Sequence, residues 1–422
     1  MKNNTSSTML EGAKRGFIIA WVLGLVFYFL EYVARSSPAV MIPQLSDNFK
    51  ISTLMVSTVL GTYYYTYSVT SLIAGICLDR FGGRYPISLG TLTLSAGCLI
   101  FASHSLFLGD LGRLLQGAGS AFAFTGCVYL AAHGFSSKYL ATAIGFTQCM
   151  GMLGGSVGQF AVGKLVHGGL SIGIFWLAMG IICAIVGLMM FFVIPKEQIN
   201  TENRGELKNI FIPYKIVFSN TQSYLSGLIS GLLFAPTTIF AMTWGVAFFQ
   251  QDRHYTYSSA VLVCSMVPLG WVVGCPLLGW ISDLKGKRKP VISVGILIMM
   301  MSFSQLIYVP TLMPAVISML IFGIASGAAM LPYSIIKEAN PDHVKGSATG
   351  GINFLTFGIT AILGPTFGKL YGKTLETVTD HETHFTQAGN FMLLVMGAAL
   401  IASLIIRETG QKRLIKPHVF RG

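Results

Sequence analysis

The stretch GICLDRFGGR at residues 75–84 recurs 204 residues later as GWISDLKGKR at residues 279–288. In both copies an aspartate follows the first glycine by four positions, and a second glycine and an arginine come after it. A second repeat supports the first, since Gly-Lys-Leu occurs at 163–165 and again at 368–370. Several repeats at nearly one offset indicate a duplicated chain with two related halves.

Long apolar runs surround both copies and predict an all-α membrane protein. Hydrophobic residues make up 53% of the 422 residues and charged residues only 10%, which is too few to cover a water-soluble globule. We predict twelve transmembrane helices, each long enough for a hydrocarbon core of about 30 Å. They are placed at residues 16–43, 53–78, 85–106, 108–132, 139–167, 170–194, 223–250, 257–282, 289–309, 312–337, 344–372 and 385–406.

The longest polar stretch between apolar runs divides the predicted helices six and six. We therefore expect two pseudo-symmetric six-helix bundles joined by a loop. The expected parts are a cytoplasmic N-terminal tail (1–15), an N-terminal bundle (16–194), a cytoplasmic central loop (195–222), a C-terminal bundle (223–406) and a cytoplasmic C-terminal tail (407–422).

The basic residues predict the orientation of the chain. The sequence holds 28 Lys and Arg against 16 Asp and Glu, and most of the basic residues lie in the tails and in every second loop. This alternation is typical of the positive-inside rule, so we expect both termini in the cytoplasm. The basic residues form no patch with interleaved aromatics, which argues against a nucleic-acid partner. The first apolar run exceeds the length of a signal-peptide core, and we interpret it as the first membrane helix.

The cysteine and histidine residues predict neither disulfides nor a metal centre. The seven cysteines are scattered through apolar segments without a CxxC pair. His381 and His384 have the spacing of helical metal ligands, but they belong to a polar loop and lack the HExxH pattern. We expect no metal and no cofactor.

The first apolar run carries the most informative polar side chains. Tyr28, Glu31, Tyr32 and Arg35 are spaced to share one face of a helix. A charged side chain near mid-membrane costs about 2.5–3.5 kcal/mol, so it normally faces a cavity and has a partner. Two interpretations follow. Glu31 and Arg35 neutralise each other as a structural ion pair, or Arg35 binds an anionic substrate while Glu31 exchanges a proton.

Arg113 adds a second cation inside an apolar run, with Asp110 one turn earlier as a candidate partner. The two positive charges of Arg35 and Arg113 exceed the single negative charge of Glu31, which leaves a net positive charge near mid-membrane. Guanidinium groups favour carboxylates and phosphates through paired hydrogen bonds. These charges therefore favour an organic anion as the substrate.

Further polar side chains are candidates for the same cavity. Tyr63 and Tyr67 share a helix face, and they either contact substrate or pack between helices. Gln148 and Asn353 occupy matching repeat positions, which favours the cavity, although amides also bridge helices.

Together these motifs resemble the major facilitator superfamily over essentially the whole chain. Residues 75–84 are similar to that family's G-x-x-x-D-R-x-G-[GR]-R loop, and 279–288 correspond to its partner in the second half. Arg113-Leu-Leu-Gln116-Gly117-Ala-Gly119 is similar to the family's R-x-x-Q-G-x-G element. The resemblance implies two bundles around a central cavity, alternating access, and a role for Arg113 and Gln116 in proton coupling or in the binding cavity.

The two motif loops are expected to gate the cytoplasmic mouth. Glycines permit the tight turn, the aspartate can accept hydrogen bonds from a helix N-terminus, and the arginines can hold acids or carbonyls across the bundle interface. The alternative is that these loops are simple turns whose basic residues only set the orientation of the chain in the membrane. The gating candidates are Gly75, Asp79, Arg80, Gly82 and Arg84 in the first copy and Gly279, Asp283, Gly286 and Arg288 in the second.

We therefore expect a monomeric, multi-pass secondary transporter in a plasma membrane, such as a bacterial inner membrane, surrounded by the lipid bilayer. The predicted activity is proton-coupled symport of a small organic anion or carboxylate, driven by a proton or other ion gradient. Amino acids, dipeptides or a polycarboxylate siderophore fit the same charges. Drug antiporters of the family that the chain resembles usually carry a Gly-Pro dipeptide in the fifth helix, and its absence from residues 154–158 disfavours drug antiport. A non-transporting receptor could keep this fold, whereas no catalytic set supports an enzyme.

Overall fold

Every secondary-structure element in the described part of the chain is helical, which confirms the all-α prediction. The structure, a computed structural model, describes residues 2–135, 137–196, 212–341, 344–377 and 381–410, and it describes side chains there except at 2–13, 79, 137–142, 345, 372–377 and 381–385. The helices are α1 (Lys2–Ser36), α2 (Ile42–Phe49), α3 (Thr53–Phe81), α4 (Arg84–Phe101), α5 (Leu106–Gly134), α6 (Ser137–His167), α7 (Ile172–Val193), α8 (Ile212–Ser219), α9 (Thr221–Ala235), α10 (Gly245–Gln251), α11 (Tyr257–Lys285), α12 (Lys289–Tyr308), α13 (Ala315–Ser326), α14 (Leu331–Glu338), α15 (Lys345–Thr377) and α16 (His381–Ile405).

Nine helical stretches in the described residues are long and apolar enough to cross a membrane. They are Lys14–Val40, Leu106–Gly134, Ile172–Val193, Thr221–Gln251, Tyr257–Lys285, Lys289–Tyr308, Ala315–Glu338, Gly346–Tyr371 and Thr386–Ile405. The helices α3, α4 and α6 fall outside this group, and each of them carries serine, threonine and tyrosine. The count of twelve crossings stays a prediction.

Irregular helical segments interrupt three of the predicted crossings. A 3₁₀ turn at Ser37–Val40 follows α1, and another at Gly327–Met330 separates α13 from α14. A π-helical segment, Pro236–Trp244, lies between α9 and α10 and is almost wholly buried. Proline has no N–H to donate, so Pro236 is a natural point for the helical ladder to change its spacing.

The two halves of the chain pack face to face along two helix pairs. The helices α3 and α15 form one seam, and α6 and α11 form the other. Within the second half, α11 packs tightly on α13 at Gly270. A Cβ atom at this position would lie only 2.6 Å from the carbonyl oxygen of Leu320, so only glycine fits without displacement. Small residues of this kind let membrane helices approach closely.

Contacts around the linker helix α8 place both motif copies at one end of the molecule, here called the motif end. Tyr214 of α8 donates a hydrogen bond to the carbonyl of Leu72, close to the first copy. The side chain of Asn220, just after α8, donates to the carbonyl of Ala339, one residue beyond Glu338, which pairs with Arg288 of the second copy. We call the opposite end, where α3 and α11 begin, the far end.

The motif turns use glycine where the backbone requires it. Gly82 has a φ of 69° and Gly286 a φ of 58°, both in the region that side chains disfavour. Gly83, the next residue after Gly82, has an ordinary φ of −74°.

Candidate functional site

The polar stripe of α1 faces the interior of the molecule and forms an ionic cluster with α3. Glu31 and Arg35 are both buried and form an ion pair through Glu31 Oε1 and Arg35 Nη2. The Tyr63 hydroxyl donates to the same carboxylate oxygen. It also accepts hydrogen bonds from Arg35 Nε and Nη2, at 3.2 and 3.1 Å. We call these three residues the Glu31 cluster.

Aromatic rings surround the guanidinium of Arg35. The ring centroids of Tyr32, Tyr67, Phe357 and Tyr63 lie 4.5, 4.7, 5.1 and 5.3 Å from its central carbon. Ring faces attract a cation more strongly once it is removed from water. Because Phe357 belongs to α15, the Arg35 side chain lies on the seam between the two halves.

One oxygen of the Glu31 carboxylate accepts no hydrogen bond from the described residues. Among the described residues, no donor reaches Glu31 Oε2, although the side chain is completely buried. A buried carboxylate oxygen without a partner is costly, while a proton can be added to it without breaking the contacts of the other oxygen. This oxygen is therefore a natural proton acceptor.

Arg113 lies inside the first half rather than on the central seam. Its Nη1 donates to the carbonyl of Ala34 at 3.3 Å and to Gln116 Oε1 at 2.6 Å. Its Nη2 donates to the carbonyl of Leu60 at 3.4 Å. These acceptors belong to α1, α5 and α3, so Arg113 ties the three helices together. Asp110, the partner that the sequence suggested, is not among these acceptors.

The two arginines therefore lie in different surroundings. The guanidinium of Arg113 lies 4.8 Å from the ring centroid of Tyr63, on α3. Gln116 is held in turn, since its Nε2 donates to the carbonyl of Gly97 at 3.3 Å. Arg113 and Gln116 therefore support the helices that carry the Glu31 cluster, and in this conformation they do not border the central cavity.

A small cavity lies between the halves, next to the aromatic rings around Arg35. Its volume is about 10 Å³, room for about one water molecule. The polar residues that line it are Tyr28, Tyr32, Tyr67 and Gln148 from the first half and Tyr333 and Asn353 from the second. The predicted residues of the polar stripe and the repeat thus meet at one place.

The same phenol–amide pair occurs on both sides of this cavity. The Tyr28 hydroxyl donates to Gln148 Oε1 at 3.3 Å, and the Tyr333 hydroxyl donates to Asn353 Oδ1 at 2.5 Å. Sequence reasoning missed Tyr333 and Phe357, because a lone aromatic residue in an apolar run usually belongs to the core. The only available signal was the hydroxyl of Tyr333, which requires a polar partner when buried.

Both approaches to this cavity are closed in the structure. Toward the motif end, Ser68 Oγ donates to the carbonyl of Phe354 across the seam at 2.7 Å. Toward the far end, the Tyr257 hydroxyl donates to the carbonyl of Val40 at 2.8 Å. Outside that contact lies a vestibule of about 570 Å³ lined by both halves. Its lining includes Val40, Thr53, Trp244, Ala247, Gln250 and Tyr371.

The second motif copy forms an ionic network inside its own half. Arg288 donates to Asp283 Oδ1 at 2.6 Å and to Glu338 Oε1 at 3.0 Å. Partial burial alone would lower the pKa of Arg288, but hydrogen bonds to Glu338 and Asp283 outweigh it and raise that pKa. Glu408 accepts from the backbone amides of Arg288 at 2.7 Å and of Lys289 at 3.1 Å, at the start of α12.

The first copy is built differently. The Arg84 guanidinium lies 4.7 Å from the ring centroid of Phe191, again within one half. The half-buried Arg80 lies near the end of α3, and the side chain of Asp79 lies outside the described residues. A Cβ atom at Gly75 would be 3.4 Å from the Tyr214 hydroxyl. No described atom lies within 4 Å of the equivalent point at Gly279. Gating by these residues stays a prediction.

We expect Glu408→Gln to reduce stability at neutral pH by about 0.5–1 kcal/mol, the lower part of the range for a helix N-terminal cap. Partial burial would raise the pKa of Glu408, but hydrogen bonds from the amides of Arg288, Gly410 and Lys289 outweigh it and lower that pKa. A lowered pKa stabilises the fold above the ordinary glutamate value of about 4.3, and the gain disappears as pH falls through the lowered value. Thermal unfolding between pH 7 and 3 should therefore separate the variant from the wild type only on the neutral side. An equal difference at every pH would contradict this origin.

Most of the chain matches a known protein family. Residues 24–365 match the profile of the Major Facilitator Superfamily. The probable galactarate/D-glucarate transporter GudP of Bacillus subtilis is 22% identical, over 96% of this chain and 94% of that protein. A probable hexose phosphate transport protein of Chlamydia trachomatis is 22% identical, over 65% of this chain and 67% of that protein.

A solved structure shows the same fold. The crystal structure of the nucleoside transporter NupG superimposes with a TM-score of 0.66 and 16% sequence identity, over 91% of this chain and 98% of that chain. At this level of identity the likeness concerns the architecture and not the cargo.

Proposed function

This chain belongs to the Major Facilitator Superfamily and is a multi-span membrane transporter, and we propose that it carries a small organic anion together with a proton by alternating access. The observation that carries the proposal is the Glu31 cluster. It holds a buried arginine on the seam between the halves, and its only fixed anion has one oxygen without a described partner. The family and the named relatives are transporters, in agreement with the expectation that the chain is not an enzyme.

The charge balance of the cluster supports an anionic cargo. While Glu31 is ionised, Arg35 is neutralised by it and has little attraction left for a second anion. When a proton occupies Glu31 Oε2, the positive charge of Arg35 is uncompensated in a dry site. A carboxylate or phosphate of the cargo can then take the place of the Glu31 charge. Proton and anion thus bind together, which is the requirement for symport.

The relatives' cargoes belong to the same chemical class. Galactarate and D-glucarate are dicarboxylates, and a hexose phosphate is also an anion. Amino acids, dipeptides and siderophores also carry carboxylates and remain alternatives within this class. The polar cavity lining, with its phenols and amides, is compatible with a cargo that carries hydroxyl groups.

We further propose the topology that this mechanism needs. Twelve crossings, six in each half, would place both termini and the motif end in the cytoplasm, as the positive-inside distribution of Lys and Arg suggests. The far-end vestibule would then open to the outside of a plasma membrane, such as a bacterial inner membrane. A protein in this closed conformation would bind its cargo from the vestibule once the contact between Tyr257 and Val40 opens.

Uptake into proteoliposomes tests the proposal. The purified full chain is reconstituted, and entry of labelled D-glucarate, glucose 6-phosphate, a dipeptide and uridine is measured with and without an inward proton gradient. We expect one of the anions to accumulate only with the gradient, and uridine not to enter. Accumulation of the uncharged solute alone, or gradient-independent entry of every solute, would refute anion symport. Binding of an anion without any transport would instead identify a receptor.

A further inference from the structure

The linker helix α8 lies across the seam between α3 and α15 at the motif end. It has only eight residues, yet Tyr214 and Val217 are buried. The Tyr214 hydroxyl donates to the carbonyl of Leu72 in α3, at 2.9 Å. Because the chain continues from α8 into the second half, this contact joins the second half to the first.

The Tyr214 side chain occupies a slot bordered by two glycines, one in each half. A Cβ atom at Gly350 of α15 would lie 2.7 Å from the Tyr214 hydroxyl, and one at Gly75 of α3 would lie 3.4 Å from it. A side chain at 350 would therefore push the phenol out of its place. At Gly75, which belongs to the repeated motif, a Cβ atom would only reach ordinary van der Waals contact with the phenol, so the steric requirement for glycine falls on residue 350.

The rest of α8 is anchored to the second half. A Cβ atom at Gly351 would lie 3.3 Å from Val217 Cγ1, and the rings of Phe218 and Phe354 are 6.2 Å apart. After the helix, Asn220 Nδ2 donates to the carbonyl of Ala339 at 2.8 Å. With this end fixed to the second half, separation of α3 from α15 at the motif end must pull the Tyr214 hydroxyl away from Leu72.

The described contacts of the motif arginines do not cross the seam. Arg84 packs on Phe191 of the first half, and Arg288 pairs with Asp283 and Glu338 of the second. At this end, the hydrogen bond from Ser68 to Phe354 and the insertion of Tyr214 from α8 both connect α3 to the second half. The linker thus contributes directly to closure.

We propose that α8 is a strap that keeps the motif end closed, and that Tyr214 must leave its slot before the two halves separate there. The proposal rests on the alternating opening proposed above, but it requires no particular cargo. It assigns a conformational role to a segment that otherwise only connects the halves. It also predicts that the identity of residue 214 changes the balance between the two open states.

Cysteine accessibility in the absence of any solute tests the strap. Two reporters are made in a background where the partly exposed Cys77, Cys149 and Cys275 are replaced by alanine. Ser71→Cys reports on the buried seam at the motif end, and Ala247→Cys reports on the far-end vestibule. The rate of maleimide labelling at a buried site follows the population of the open form.

We expect Tyr214→Phe to raise the labelling rate at Ser71→Cys about two- to tenfold, the change that corresponds to one neutral hydrogen bond. Tyr214→Ala and Gly350→Ala should raise it further, because the first removes the ring from the slot and the second displaces it. The rate at Ala247→Cys should fall in each variant, since the two ends open alternately. Tyr224→Phe, a change in a half-exposed tyrosine of α9, is the matched control and should alter neither rate.

Two outcomes would overturn the strap. Unchanged labelling at Ser71→Cys in all three variants would show that α8 does not hold the seam. Faster labelling at both reporters would show a general loosening of the fold instead of a shift between two states. Because no solute is added, a failure of the anion proposal in the uptake assay leaves this result intact.

Discussion

Arg35→Gln is expected to abolish anion uptake and to lower the free energy of unfolding by about 3–5 kcal/mol, the usual cost of removing one member of a buried ion pair. Glu31 and Arg35 are both buried, and in the variant the Glu31 carboxylate keeps only the hydrogen bond from Tyr63. The loss of uptake follows because the Arg35 guanidinium lies against the aromatic rings that border the central cavity. Thermal or chemical unfolding in detergent and uptake in proteoliposomes measure the two effects.

The double variant Glu31→Gln/Arg35→Gln separates stability from function. Removing both charges leaves no uncompensated ion, and replacing a buried pair by neutral groups is often close to neutral in stability. We therefore expect the double variant to regain wild-type stability to within about 1 kcal/mol, and to remain inactive. Anion uptake by this stable double variant would exclude Arg35 as the group that binds the cargo.

Glu31→Gln alone is expected to remove the coupling between anion and proton. In the wild type, the cargo binds only when Glu31 carries a proton. Its apparent affinity should therefore weaken about tenfold per unit of rising pH while that carboxylate is mostly ionised. Glutamine takes up no proton and does not neutralise Arg35, so the affinity should become independent of pH. Anion-driven alkalinisation of a lightly buffered vesicle suspension should disappear, while exchange of labelled for unlabelled anion continues.

Asp110→Asn is the matched control for this prediction. Asp110 is a carboxylate of the same half, partly exposed on α5, and it forms no ion pair among the described residues. Its replacement should leave the pH dependence of binding unchanged. If alkalinisation persisted in Glu31→Gln and disappeared in Asp110→Asn, the residue that couples proton and anion would be Asp110 and not Glu31.

Arg113 illustrates that a correct local inference does not fix where a side chain lies in the packed bundle. Its helix position and its charge inside an apolar run were apparent from the sequence. However, its hydrogen bonds reach the carbonyls of Ala34 and Leu60, which are 79 and 53 residues away along the chain. Whether an arginine points into a cavity or into its own half depends on the rotation of its helix against its neighbours. That rotation is a property of the packed bundle.

We could infer three features without coordinates, namely the membrane class, the duplication and the face shared by Tyr28, Glu31, Tyr32 and Arg35. Hydropathy and helical period depend only on residues that are close in the chain, and the duplication shows as similarity between two segments of the same sequence. All three can therefore be recognised without coordinates. The packed structure was needed to show that Phe357 covers Arg35, that Glu338 and Glu408 hold the second motif, and that Tyr214 enters the seam. Each of these contacts joins helices that are far apart in the chain, and their partners are selected by how the helices pack against one another.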